Sequence, residues 1–295
     1  MTFCHLDFIV RTVGETGMQD TKFNLALVQM IGAPTNDESL AKALAKIDMA
    51  VSKGSDFVVL PEMFSCPYKA SNFPIFAQED GGPNWTALSE SARKNKIYLV
   101  AGSMPEREGE CIYNTSYVFD REGKQIAKHR KMHLFDCDIP GSANFHESDT
   151  LTAGDSVTVF ETEFGKMGLM ICFDIRFPEL TRLMMEQGAQ MILVPAAFNM
   201  TSGPNWWEIM FRVRAADNQV YMVGCSPARD EKASYVAWGH SIVVDPFGMV
   251  LAELDEKESI LYQQIDLAEV EKFRQLYKIL KSRRLDIYTT AFQKA

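Results

Sequence analysis

The sequence predicts an α/β protein in which two mixed β-sheets pack face to face and helices cover their outer faces. Three observations lead there. From residue 23 onward, short apolar runs rich in Val, Ile and Leu alternate with longer segments of helical period. Pairs of strand-like runs joined by tight turns interrupt that alternation in the middle and near the end of the chain. No apolar run approaches the length of a membrane span.

Taken in order, residues 1–22 read as a loose leader, mixed in charge, with Gly14 and Gly17 and no sustained period. FNLALVQM (23–30) is a strand, and SLAKALAKIDMAVSKG (39–54) is an amphipathic helix ending at Gly54. Its Leu40, Ala43, Leu44 and Ile47 form one apolar stripe for the core. FVVL (57–60) is the next strand, giving a βαβ opening of the parallel, right-handed kind. A helix over 85–96 and a strand over 97–104 follow, then strand-like runs at 113–120 and 123–130 that pair as a hairpin around the segment REG. Residues 134–156 are polar, contain Pro140, Gly141 and Gly154, and read as a long irregular loop, a length that usually carries function in compact domains. Residues 156–173 form a hairpin turning at Gly165. The alternation then resumes with a helix over 179–188, a strand over 189–198, a helix over 205–218 and a strand over 219–226. Strands at 239–246, 248–254 and 259–266 lead to a last helix over 268–280. The basic residues Lys278, Lys281, Arg283 and Arg284 suit the dipole of its C-terminal end as a solvated terminus. No low-complexity tract or solenoid repeat divides the chain, which reads as one domain over residues 23–295.

Composition narrows the function classes. With 46% apolar and 23% charged residues the chain is ordinary globular material, long enough to bury a sizeable core without disulfides. A net charge of −9 argues against nucleic acid or an anionic membrane as partner, because both reward dense Lys and Arg. The six cysteines, at 4, 66, 111, 137, 172 and 225, show no CxxC pair, as expected of reduced thiols in the cytoplasm. The opening MTFCHLDFIV makes a poor signal peptide, so the sequons at Asn84, Asn114 and Asn199 have no secretory context to act in. No Gly-rich phosphate loop follows a strand, and no cofactor is implied.

The chemistry gathers at strand ends. In KMGLMICFDIRFPEL (166–180) a buried strand ends at Cys172, a charged aromatic turn with Arg176 follows, and Pro178 opens a helix. A thiol at such a strand end faces the rim where open α/β sheets place their chemistry. In FVVLPEMF a strand stopped by Pro61 is followed at once by Glu62, and in AKHRKMHLFD a short strand is followed by Lys131. A thiolate attacks carbonyl or nitrile carbon but needs a base to take its proton and donors to hold the developing oxyanion. Glu62 suits the first task, and the Lys131 ammonium suits the second together with a backbone N–H such as that of Phe173. The rival is a Cys-His pair drawing on His129, His133, His146 or His240, which spacing alone does not rank. A metal on His129 and His133 is weaker, because HExxH is missing.

The stretches PEMF with Glu62, HRKMHLFD with Lys131 and ICFDIRFPEL with Cys172, in this order, resemble the three signatures of the nitrilase, or carbon-nitrogen hydrolase, superfamily. The resemblance runs from about residue 23 to residue 288. It implies a four-layer αββα sandwich, commonly a homodimer, with Glu62 as general base, Lys131 as oxyanion stabiliser and Cys172 as nucleophile toward a small-molecule amide. HRKMHLFDCDIPG, FHES, AAFNMTSGP, VRAADNQVY, CSPARD and GHSIVVDPFG are further similar to the omega-amidase branch, which hydrolyses the terminal amide of 2-oxoglutaramate and 2-oxosuccinamate to the diacid and ammonia. By that resemblance Glu147 is a supporting pocket glutamate, Arg176 grips the remote carboxylate, and Phe173, Phe198 and Ser202 line the pocket. Two departures touch the pocket wall: Phe173 stands where the branch commonly has Tyr, and Trp206 stands before Trp207 where it commonly has His. Deaminated glutathione and N-carbamoyl amines are the alternative substrates, and a non-catalytic binding role on the same fold is the remaining alternative.

Overall fold

The computed structural model describes residues 21–138 and 144–293. The expected leader up to residue 20 and the part of the expected loop that holds Pro140 and Gly141 lie outside the described residues. In chain order the first strands are β1 (Lys22–Gln29), β2 (Phe57–Val59), β3 (Gln78–Glu79), β4 (Tyr98–Val100), β5 (Met104–Glu108), β6 (Cys111–Phe119) and β7 (Gln125–Arg130). The expected loop contributes a two-stranded ribbon, β8 (Asp136–Cys137) and β9 (Phe145–His146). Then come β10 (Thr158–Glu161), β11 (Lys166–Leu169), β12 (Met191–Pro195), β13 (Tyr221–Cys225), β14 (Ile242–Val244), β15 (Val250–Glu253) and β16 (Ser259–Asp266). The helices are α1 (Asn36–Ser52), α2 (Phe73–Phe76), α3 (Pro83–Asn95), α4 (Pro178–Glu186), α5 (Gly203–Asn218) and α6 (Ala268–Leu276).

The strands form two mixed sheets. The first runs β16-β1-β2-β4-β6-β5-β3, with β7 also paired to β6, and the second runs β10-β11-β12-β13-β14-β15. Within each, a parallel βαβ core (β1, β2, β4; β11, β12, β13) is flanked by antiparallel strands. Because the central strands are covered on both faces, they read as continuous apolar runs rather than as alternating ones. Leu25 and Leu27 of β1 meet Leu169, Leu193 and Val223 of the other sheet, whereas Ala26 and Val28 meet Ala43, Ile47 and Ala50 of α1. On the far side Ile192, Val194 and Met222 meet Met184 of α4 and Trp207, Phe211 and Ala215 of α5. The layers are therefore helix, sheet, sheet, helix. No helix among the described residues is long and apolar enough to cross a membrane.

Several element ends differ from the expected ones for identifiable reasons. Helix α1 begins three residues early because Thr35 caps it, its hydroxyl accepting from the Glu38 N–H (3.3 Å) and donating to the Glu38 carboxylate (2.8 Å). The strand expected over 97–104 is two strands, split where Gly102 turns at φ +57°. The last helix stops at Leu276, and Arg283 and Arg284 of the basic end pair with Glu186 and Asp286. The sequon residues Asn84 and Asn114 are buried in folded protein.

The topology brings the chemistry to one rim. Strand β7 is antiparallel to β6, which is antiparallel to β4, which is parallel to β2, so β7 and β2 point the same way. Their C-terminal ends carry Lys131 and Glu62. The turn after β4 braces the Glu62 segment: the Ser103 N–H donates to the Pro61 carbonyl (3.2 Å) and the Met63 N–H to the Ser103 hydroxyl (3.0 Å). A Cβ on Gly102 would lie 2.1 Å from the Pro61 carbonyl oxygen. Gly102→Ala therefore combines left-handed strain with a backbone clash, and is expected to destabilise the protein by about 2–4 kcal/mol in denaturant unfolding, with activity falling as the Glu62 turn shifts.

Candidate active site

Three segments deliver their side chains to one buried point. Lys131 follows β7 directly; its N–H donates to the Asn114 carbonyl (2.9 Å) and its carbonyl accepts from the Gly154 N–H (2.8 Å), which pins the backbone on both sides. Glu147 opens a 3₁₀ turn (Glu147–Asp149) inside the expected irregular loop, where the Phe135 N–H donates to its Oε2 (2.7 Å). Glu62 accepts at Oε2 from the Ala197 N–H (2.8 Å), two residues past β12, and at Oε1 from Asn114 Nδ2 (2.9 Å). Lys131 Nζ then lies 3.0 Å from Glu62 Oε1 and 2.8 Å from Glu147 Oε2, with all three side chains fully out of solvent. Tyr68 Oη lies 2.7 Å from Glu147 Oε1 and 3.1 Å from Glu62 Oε1, so its single proton serves one carboxylate at a time.

Burying an isolated charge costs several kcal/mol, and these charges persist because each faces an opposite one. Burial alone would lower the Lys131 ammonium, but the carboxylates of Glu147 and Glu62 outweigh it and hold the group above its ordinary range. Glu147 is pushed upward by burial and by the second carboxylate, against the pull of Lys131.

Cys172 does not end the strand as the sequence suggested. Strand β11 stops at Leu169, and Cys172 opens a 3₁₀ turn (Cys172–Arg176) with φ +45°, a left-handed conformation that costs a non-glycine residue about 1–3 kcal/mol. The elbow places the thiol beside the acidic pair, near enough to the Glu62 carboxylate and the Ala197 N–H for both to bear on its protonation. Burial first, and then the Glu62 charge, push the thiol well above its usual range, against Lys131. The resting sulfur is a protonated thiol beside a carboxylate that can take the proton.

Asp174, which sequence reasoning passed over, holds this strained turn. Its buried carboxylate accepts from the Ile171 N–H (3.0 Å), the His133 N–H (3.0 Å), His129 Nε2 (3.0 Å) and His133 Nδ1 (2.8 Å). His129 and His133 flank Lys131, so one carboxylate ties the thiol-bearing turn to the segment that carries the ammonium. The two histidines are thus spent on Asp174, while His146 bonds Asp138 (3.0 Å) and His240 lies 3.7 Å from Glu253, which leaves Glu62 as the thiol's partner in place of a Cys-His pair. Burial alone would raise the Asp174 carboxyl, but the bonds from His129 and His133 hold it well below the usual range.

A narrow cavity opens beside Cys172, lined by Phe135, Phe173, Arg176, Phe198, Ser202 and Trp206, among others. All four expected pocket residues are in this wall, and they differ in what they offer. Phe173 sits edge-on to Phe135 and Phe177, and Phe198 edge-on to Trp207. The Ser202 hydroxyl is engaged by Asn199 Oδ1 (2.9 Å). The Arg176 guanidinium lies over the Trp206 ring, 4.1 Å from its centroid, and has no carboxylate partner among the described residues. Of the residues the sequence did not point to, Asp174 alone left a trace, a charged residue inside the apolar stretch MICFDI, whereas Tyr68 and Asn114 stand among other polar residues.

The sequence matches the carbon-nitrogen hydrolase family over residues 24–275. It is 46% identical to omega-amidase NIT2 of Mus musculus over 92% of this chain and 99% of that protein, and 44% identical to omega-amidase NIT2 of Homo sapiens over 93% and 99%. Among solved structures it is similar to Saccharomyces cerevisiae Nit3, a member of branch 10 of the nitrilase superfamily, with a TM-score of 0.83 and 41% identity over 92% of this chain and 100% of that one. The C. elegans NitFhit protein superposes with a TM-score of 0.84 at 30% identity over 94% of this chain and 68% of that one.

The Asp174 brace has a pH signature. Its folded-state value is depressed, so its stabilisation is fully present above the unfolded carboxyl value of about 3.9 and is lost as pH falls below it. Asp174→Asn is expected to destabilise the protein by about 3–5 kcal/mol at pH 7. The Tm gap from the wild type should narrow as calorimetry is carried from about pH 5 to about pH 3.

Proposed function

The chain belongs to the carbon-nitrogen hydrolase family, and on that premise we propose that it hydrolyses the terminal amide of small 2-oxo-dicarboxylate monoamides, 2-oxoglutaramate and 2-oxosuccinamate, to the diacid and ammonia. The observation that carries the substrate class is the Arg176 guanidinium. It lines the same cavity as Cys172, and no carboxylate among the described residues neutralises it. A guanidinium in that state is complementary to a carboxylate at the far end of the substrate. The identity with omega-amidases over nearly the whole chain supports the same reading.

The roles follow from the geometry around Lys131. Glu62 takes the Cys172 proton as the sulfur attacks the amide carbon, which cancels the unfavourable thiolate–carboxylate pairing that keeps the resting thiol protonated. The carbonyl π electrons move to oxygen, and the resulting oxyanion is held by the Lys131 ammonium and the Phe173 N–H. Glu62 returns the proton to nitrogen, the C–N bond breaks, and ammonia leaves a thioester on Cys172. Water then attacks the thioester as Glu62 removes its proton; the C–S bond breaks, Glu62 returns that proton to the sulfur, and the acid leaves with the thiol restored. Glu147, the second carboxylate on Lys131, keeps the ammonium charged and aimed throughout.

The reading also includes a homodimer. Ile209, Val213 and Phe247 line one exposed groove along α5, and Tyr277 packs on Phe247 at its edge, an apolar face suited to a second copy. Sedimentation of the purified protein should give a dimer, and Ile209→Asp with Val213→Asp should give monomer; a wild-type monomer rejects the assignment.

The primary test is ammonia release from 2-oxoglutaramate by the purified protein, with absence of turnover rejecting the substrate assignment. Cys172→Ala is expected to abolish turnover with an unchanged circular dichroism spectrum and Tm, and the wild type should show an acyl adduct on Cys172 by intact mass. Arg176→Lys should raise KM for 2-oxoglutaramate about tenfold through loss of the planar fork, with kcat little changed.

A further inference from the structure

We infer that Trp206 is a positioning residue that fixes the Arg176 guanidinium for an anionic acyl end, and thereby sets the preference for amides whose far end is a carboxylate over neutral amides of the same length. This inference rests on the reading of Arg176 as the carboxylate grip.

A guanidinium binds a carboxylate through its in-plane N–H edges, whereas an aromatic ring meets it face to face. The Arg176 guanidinium carbon lies over the Trp206 indole, 4.1 Å from the ring centroid, a separation that suits stacking on the ring with the N–H edges left to a ligand. No side chain among the described residues gives the guanidinium a hydrogen bond or ion pair, and the polar groups of the wall are engaged elsewhere: the Ser202 hydroxyl by Asn199 and the Tyr235 hydroxyl by the Ala197 carbonyl, while Phe135, Phe173 and Phe198 are uncharged. An arginine with no such support disperses over many rotamers, and ordering it on binding opposes affinity.

The backbone of the same turn is fixed from the same helix. Arg214 of α5 donates from Nε to the Ile175 carbonyl (2.9 Å) and from Nη2 to the Arg176 carbonyl (3.0 Å), while Trp206 stands in the first turns of α5. One helix therefore sets both where Arg176 starts and where its fork lies. Trp206 is itself 42% exposed and contributes little to the core, so its substitution can be read as an effect on Arg176 rather than on folding.

The test is steady-state kinetics of the full-length enzyme on 2-oxoglutaramate and on pentanamide, the neutral amide of equal chain length. Trp206→Ala is expected to raise KM for 2-oxoglutaramate and to lower the ratio of kcat/KM values, acid over neutral, by about two- to fivefold, the worth of a cation–π contact near the surface. Trp206→Phe should recover most of the ratio, since it keeps a ring under the guanidinium. In an Arg176→Gln background, Trp206→Ala should leave the ratio unchanged. Equal losses on both amides, or the same loss of ratio with Arg176 already removed, would overturn the role. The failure of the Arg176 reading looks different: the wild type would show no preference for the acid amide, or Arg176→Gln would leave that preference intact. A preference lost with Arg176→Gln but untouched by Trp206→Ala overturns the inference about Trp206 alone.

Discussion

The arrangement depends on one ammonium held between two carboxylates in a place water does not reach. Lys131 is buried because Glu62 and Glu147 face it, and they in turn are tolerated there because Lys131 faces them. Each remaining oxygen is met by a donor from a different part of the chain: Ala197 and Asn114 on Glu62, Phe135 on Glu147, Tyr68 between the two. Removing any one charge would strand the others in a medium that cannot solvate them. That interdependence fixes the relative positions of two sheets and a loop around a point a few ångströms across.

The place of the proposed nucleophile, Cys172, follows from the same constraint. The cluster carries two negative charges against one positive, so a thiol added beside Glu62 remains a thiol until something draws its proton away. In the proposed reaction an arriving electrophile does so, because the negative charge then forms on an oxygen near Lys131 rather than on sulfur near Glu62. The strain at Cys172 is sustained by Asp174, whose four hydrogen bonds reach both flanks of Lys131. Position and protonation of the sulfur are thus governed by the same few buried charges.

The proposed substrate side is built differently. Its wall is aromatic and nearly neutral, with a single positive fork, so shape excludes and charge selects. Helix α5 is the common support: Arg214 holds the backbone of the Arg176 turn, Trp206 lies under its guanidinium, and Trp207 and Phe211 seat the helix on the second sheet. The groove assigned to a second copy lies along the outer face of that helix.

By itself the sequence determined the longer strands and helices, though not the short α2, β3 or the β8–β9 ribbon, because apolar period, Pro61, Pro178 and the glycines after helices act locally, within a turn or two of where they stand. It also placed Glu62 and Lys131 just past strand ends, and with the family resemblance it supplied Glu147 and the pocket residues. It did not contain the split at Gly102, the early cap at Thr35, or the turn that takes Cys172 out of its strand, since each depends on a partner contact rather than on period. Tertiary structure alone decided that Asn114, Tyr68 and Asp174 belong to the site. Asn114 is 52 residues from the carboxylate it serves, Tyr68 is 79 from Glu147, and Asp174 is 41 from His133. A hydrogen bond across such a separation leaves no periodic trace in the chain; it exists only once the sheets have brought the strand ends to a common rim.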